Sequence, residues 1–148
     1  MNTAQFSENF YRLFVWSVQF LGVPPILLMA TVCLVGVSVA FVWQQPFKRQ
    51  LWRTSHWLIF TQLLFFPAMV AVGVLFPAVS SVRPNLKENV MGHRLLDGLF
   101  YLSLATSAFW VWRMRGLRWL AASLLLLQQV ILIGAGFVAG MSVSGDWL

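Results

Sequence analysis

Phe47-Lys48-Arg49-Gln50-Leu51-Trp52-Arg53 and Arg113-Met114-Arg115-Gly116-Leu117-Arg118 are two short basic segments set between long apolar runs. Together they hold six of the ten basic residues of the chain and no acid. Lys and Arg beside a membrane span hold it with that end in the cytoplasm, and Trp collects at the lipid–water boundary. The two segments therefore read as cytoplasmic hairpin loops, and the runs around them as transmembrane helices.

Composition supports a membrane setting. Of 148 residues, 59% are hydrophobic and only 9% charged, where a soluble domain carries about 25% charged residues. Mean hydropathy is +0.78. The net charge of +6 sits beside the spans rather than on one amphipathic surface. It is therefore read as topology signal and contact with anionic headgroups, with no nucleic acid as partner. Cys33 is the single cysteine and lies in an apolar run, so it forms no intrachain disulfide. Met1–Arg12 has no basic stretch ahead of an apolar core, and no removable signal peptide is expected there.

Working outward from the loops, four spans are expected in a single integral membrane domain, residues 1–148. They cover about 25–43, 56–78, 94–112 and 117–141, each near the ~20 residues that cross ~30 Å of hydrocarbon. Pro67 falls near the middle of the second and leaves the carbonyl of Leu63 without its donor, which predicts a kink. Ahead of the spans, Gln5, Glu8, Asn9, Arg12 and Gln19 recur at helical spacing, while Phe6, Phe10, Leu13, Phe14 and Leu21 fill the other side. This periodicity predicts an amphipathic helix over 4–22, lying in the headgroup region and broken at Pro24-Pro25. The competing expectation is one long kinked helix with Gln19 facing a partner. The fold class is all-α: a four-transmembrane-helix bundle preceded by an N-terminal amphipathic interfacial helix.

Orientation follows. Arg12, Arg83, Lys87 and Arg94 lie on the other side, together with all four acids. Loops 44–55 and 113–118 are expected in the cytoplasm and both termini outside, in a cell inner (plasma) membrane. Trp43, Trp52, Trp57, Trp110, Trp112 and Trp119 all fall at the cytoplasmic level, with Trp16 and Trp147 at the other. This one-sided belt is expected to meet lipid or another subunit. Gly136 and Gly140 form a GxxxG step, where two backbones can approach closely, within the bundle or against another chain.

Polar groups inside apolar helices are the candidates for chemistry. His93, Asp97 and Tyr101 are four apart on one helix face, and Arg94 stands three before Asp97. The local expectation is an Arg94–Asp97 pair that stabilises the first turn; the functional one is a proton or ligand site at the extracytoplasmic mouth. Gln62 and Gln128-Gln129 place amides at membrane depth, where an amide without a partner is costly. At least one should bond across helices or to a bound group. Adjacent glutamines point ~100° apart, so both are not expected to face the same partner. Thr61, Thr106, Ser107 and Ser123 are expected to satisfy themselves on their own helix carbonyls.

No HExxH, GxSxG or phosphate-binding glycine loop is present, and four acids leave little for acid–base work. No catalytic residue and no metal site is expected. His56 and His93 are placed on opposite faces, ~30 Å apart, too far to share one haem. No cofactor is expected, and haem or quinone at His93, Asp97, Tyr101, Gln128 and Gln129 is the alternative. The leading expectation is a non-catalytic integral membrane subunit that stabilises or positions a larger complex of respiratory, photosynthetic, transport or secretion type. Its partners are membrane lipids and other integral membrane subunits. The alternatives are a small redox, quinone- or haem-interacting protein, and a small oligomeric transporter or channel around Gln62 and Gln128.

Overall fold

The computed structural model describes residues 3–43, 58–78, 89–114 and 117–145, and all regular structure among them is helical. Helix α1 covers Thr3–Phe20, α2 Pro24–Trp43, α3 Phe65–Leu75, α4 Val90–Arg113 and α5 Arg118–Ser144; a 3₁₀ segment, Leu58–Leu64, leads into α3. Helices α2, α4 and α5 are long and apolar enough to cross a membrane, while Ile59–Leu75 is a shorter apolar stretch.

Local chemistry explains the boundaries. Pro24 and Pro25 lack N–H groups that would have no partner in a first turn anyway, so they start α2 without loss. The α1–α2 connection stays tightly wound: Leu21, Gly22 and Val23 donate to Val18, Gln19 and Phe20 at 2.9–3.1 Å, and Val23 in turn accepts from Ile26 and Leu27. The Asn89 side chain caps α4 by accepting from the Gly92 N–H at 3.1 Å. Gly145, at φ 83°, closes α5 in the left-handed conformation that glycine adopts without a Cβ clash.

At Pro67, where a kink is expected, the winding changes just upstream, from 3₁₀ over Leu58–Leu64 to α over Phe65–Leu75. Pro67 offers no donor to Leu63, and its ring crowds that carbonyl, so the turn before it tightens to 3₁₀ geometry. The tightening lengthens the rod. Seven residues at ~2.0 Å and eleven at ~1.5 Å reach about 30 Å, a hydrocarbon thickness.

Helix α5 is the centre, packed against every other element. Helix α2 runs antiparallel to it: Gly36 lies by Ser123, and Leu21, just before α2, by Gly134. The 3₁₀–α3 rod runs parallel to α5, with Ile59 among Leu117, Leu120 and Ala121 and Gly73 against Ala139. Beyond it, the Ala78 N–H donates to Ser142 O at 3.0 Å. Helix α4 returns antiparallel, with Ser107 on Gln129 and Gly92 on Val143. The chain therefore alternates direction, and residues 43 and 58 lie at the same end as the α4–α5 turn.

Helix α1 packs on α3 and α5, with Leu13 by Gly73, and Ser17 O and Phe20 by Gly134. Its adjacent residues Leu13 and Phe14 reach Gly73 and Phe66, seven positions apart on one rod. Phe6, Phe10 and Phe14 stack along α1 and end edge-on against Phe66 at 5.3 Å, while Phe20 stacks on Phe137 at 4.5 Å. Gln5, Glu8, Asn9, Arg12 and Gln19 are all exposed, as their spacing predicts. Glu8 and Arg12 pair at 3.8 Å in solvent, where such pairs contribute little.

Candidate functional site

Among the described residues the core is two apolar clusters. One joins Leu13, Phe66, Met69, Val70, Val74 and Leu96 to Leu132–Val143 of α5. The other gathers Ala40, Ile59, Met114, Leu117, Leu120, Ala121 and Leu125. Between Leu125 and Leu132, near the middle of α5, lies a buried polar layer: Gln62, Ser103, Ser107, Gln128 and Gln129.

The layer is wired mainly through α4. Gln129 Nε2 donates to Ser107 Oγ at 3.0 Å, and its Oε1 accepts from Ser103 Oγ at 3.3 Å. Gln62 Nε2 donates to Thr106 Oγ1 at 2.6 Å. Each hydroxyl also donates to its own helix: Ser103 to Phe100 O, Thr106 to Leu102 O and Ser107 to Ser103 O, at 2.7–2.8 Å. Thr106 and Ser107 thus do more than satisfy themselves. Their protons stay on the helix, and their lone pairs accept amides from neighbouring elements. Ser103 was not singled out by sequence, because a lone serine in a span carries no signal until an amide is placed opposite it. Ser123 keeps to the local pattern, donating to Trp119 O at 2.9 Å.

Two acceptors in this layer have no donor. Gln62 is 1% exposed and Gln128 5% exposed, and the Oε1 of each is buried without a hydrogen-bond partner. The adjacent glutamines diverge as helical geometry requires: Gln129 engages α4, and Gln128 does not share its partners.

The other candidates are elsewhere. His93 is half-buried in the first turn of α4, its backbone N–H donating to Asn89 O at 3.1 Å. Asp97 and Tyr101 face outward, Tyr101 69% exposed. The five sequence candidates are therefore not brought together: two glutamines lie in the core and two members of the α4 set lie on its surface. The expected Arg94–Asp97 pair does not form; both side chains are exposed. An intrahelical pair with the base first runs against the helix dipole, and the acid-first order is the favourable one. His56, Trp52 and Trp57 lie outside the described residues. Among the described residues, no group of three His, Cys, Asp or Glu side chains is arranged to hold a metal ion.

The tryptophan belt and the GxxxG step divide. Trp43, Trp112 and Trp119 are exposed, whereas Trp110 packs on the Met114–Leu125 cluster. A Cβ on Gly136 would meet only Met69 Sδ, at 3.7 Å, and one on Gly140 nothing within 4 Å. Close approach occurs elsewhere. A Cβ on Gly73 would sit 2.9 Å from Ala139 Cα, and one on Gly92 2.8 Å from Val143 Cγ1.

The outward faces of α2 and α4 differ in chemistry. Helix α2 shows Leu27, Leu28, Val32, Val35, Val39 and Val42, with Thr31 and Ser38 donating to their own helix. Helix α4 shows Arg94, Asp97, Tyr101, Ala105, Ala108 and Trp112, at spacings of three or four along one stripe. No protein-family model, curated protein or solved structure matches the chain.

Proposed function

We propose that the chain is a non-catalytic integral membrane subunit that stabilises or positions a larger membrane assembly. In this reading α2, the 3₁₀–α3 rod, α4 and α5 cross the membrane, and α1 lies at the outer boundary with its phenylalanines on the bundle. The loops at 44–55 and 113–118 lie in the cytoplasm and both termini outside, in a cell inner membrane.

The carrying observation is the outward stripe of α4. Lipid tails solvate the all-apolar surface of α2 but offer no counter-charge to Asp97, one turn inside the expected span, and no close fit to the small residues Gly98, Ala105 and Ala108. Protein surface offers both. The buried polar groups point the same way, because most of them bond to one another and hold helices in register rather than converging on a cleft. Interhelical bonds of this kind contribute about 0.6–2 kcal/mol each.

The test is purification from native membranes in mild detergent, followed by mass spectrometry. Recovery in a stoichiometric complex is the expected result. A chain that runs alone as a monomer under the mildest extraction would defeat the proposal.

One observation favours a second reading, a small quinone- or haem-interacting protein. The orphaned oxygens of Gln62 and Gln128 could accept from the hydroxyl of a hydroquinone. Purified protein would then retain quinone on solvent extraction, or show a Soret band if haem were held. A colourless, quinone-free preparation removes this reading.

A further inference from the structure

We propose that α4 pairs with α4 of a second copy of this chain, through reciprocal Arg94–Asp97 ion pairs at its outer end. The proposal rests on the reading of the α4 stripe as a protein interface and names the partner.

The charges carry the argument. Arg94 and Asp97 are exposed, one turn apart on the outward stripe, and do not pair with each other. The stripe is locally neutral: it presents one base and one acid, and a second copy presents the acid and base that complement them. Copies of one chain insert in the membrane with the same orientation, so a two-fold axis relating them runs along the membrane normal. That symmetry makes the two α4 helices parallel and sets equal residues at equal depth. Arg94 of one copy then lies about 4.5 Å along the axis from Asp97 of the other, within reach of a guanidinium. Each acid then has the other copy's base one turn away, twice per dimer.

The remaining stripe fits close approach. Gly98 is open, with nothing within 4 Å of a Cβ built on it. Ala105 and Ala108 are exposed at the deeper level. Small residues there let two backbones approach. Tyr101 and Trp112, 69% and 59% exposed, flank them with apolar surface. Helix α2 has no such charge pair on its surface.

Site-directed cross-linking of the full chain in native membranes tests the pairing. Ala105→Cys and Ala108→Cys, each with Cys33→Ser, should give a disulfide-linked band at twice the 16.8 kDa chain mass under oxidation. Val35→Cys on α2 should not. Arg94→Asp gives a chain with two acids at this turn, and Asp97→Arg a chain with two bases. Each alone should lose about fivefold or more of its cross-linked fraction. Co-expressed, the two should cross-link to each other and recover it. Cross-linking that ignores both charge reversals overturns the proposal. Cysteines at 105 or 108 that link only to a different protein overturn the second copy and leave the subunit reading standing. Cysteines that link to no protein remove both.

Discussion

Replacing Gly73 with alanine puts a methyl group where two helices and the N-terminal helix meet. The new Cβ would stand 2.9 Å from Ala139 Cα, 3.0 Å from Ala139 Cβ and 3.3 Å from Leu13 Cδ1. Carbon atoms rest at about 3.5–4.0 Å, so α3 and α5 must part by roughly 0.5–1 Å. Leu13 can turn away, but Ala139 Cα is backbone and moves only with its helix. Overpacking of this kind costs about 1–3 kcal/mol, and the helix preference of alanine over glycine returns about 0.5–1 kcal/mol. The net is a loss of about 0.5–2 kcal/mol, or roughly 2–30-fold in the folded-to-unfolded ratio. Gly140→Ala is the matched control. It has the same preference gain and nothing within 4 Å to clash with, so it should be neutral or stabilising by up to ~1 kcal/mol. Reversible unfolding in mixed detergent and dodecyl sulfate, followed by far-ultraviolet circular dichroism, measures both. A Gly73→Ala protein as stable as Gly140→Ala would refute the claim that this contact, rather than the GxxxG step, sets the α3–α5 distance.

Further outcomes are expected. Gln129→Leu removes the amide donor to Ser107 and the carbonyl that accepts from Ser103, and should lower stability by about 0.6–2 kcal/mol in the same assay. Gln128→Leu removes a carbonyl with no donor and should be neutral or stabilising; a loss above about 2 kcal/mol would instead reveal a bound group lost with it. Pro67→Ala should let the 3₁₀ turns relax to α-helix and shorten the rod by about 3–4 Å. Electron–electron distances between spin labels at Ile59 and Leu75 would register that, and an unchanged distance would clear Pro67 as the cause. Finally, a cysteine at Gln50 should resist a membrane-impermeant thiol reagent in intact cells, while one at Asn85 should react. Reversed labelling would overturn the orientation.

How far the residues alone carry the fold depends on how much contrast a segment contains. Helix α1 alternates polar and apolar groups, and its exposed and packed sides fall where that spacing puts them. The starts and stops are legible for a related reason: Pro24-Pro25 and the basic loops punctuate an apolar text. The Pro67 disturbance was also visible, though its form was not, since a missing donor can be met by a bend or by tighter winding. Helices α2 and α3 are apolar nearly all round, so their sequences hold no record of which side faces inward.

The sequence by itself determined the apolar character, the helical class and the approximate limits of the described helices, because these follow from local composition and from proline chemistry. Only the tertiary structure decided which polar groups meet. Gln129 finds Ser103 and Ser107 because α4 and α5 run antiparallel at that register, and Gln62, in the 3₁₀ segment, meets Thr106 on α4. It also turned Asp97 and Tyr101 outward and moved the point of closest helix approach from Gly136–Gly140 to Gly73–Ala139. In water, burial of apolar surface would have fixed those facings in advance. Between apolar helices in lipid it gives no such preference, and the choice passes to shape and to a few hydrogen bonds.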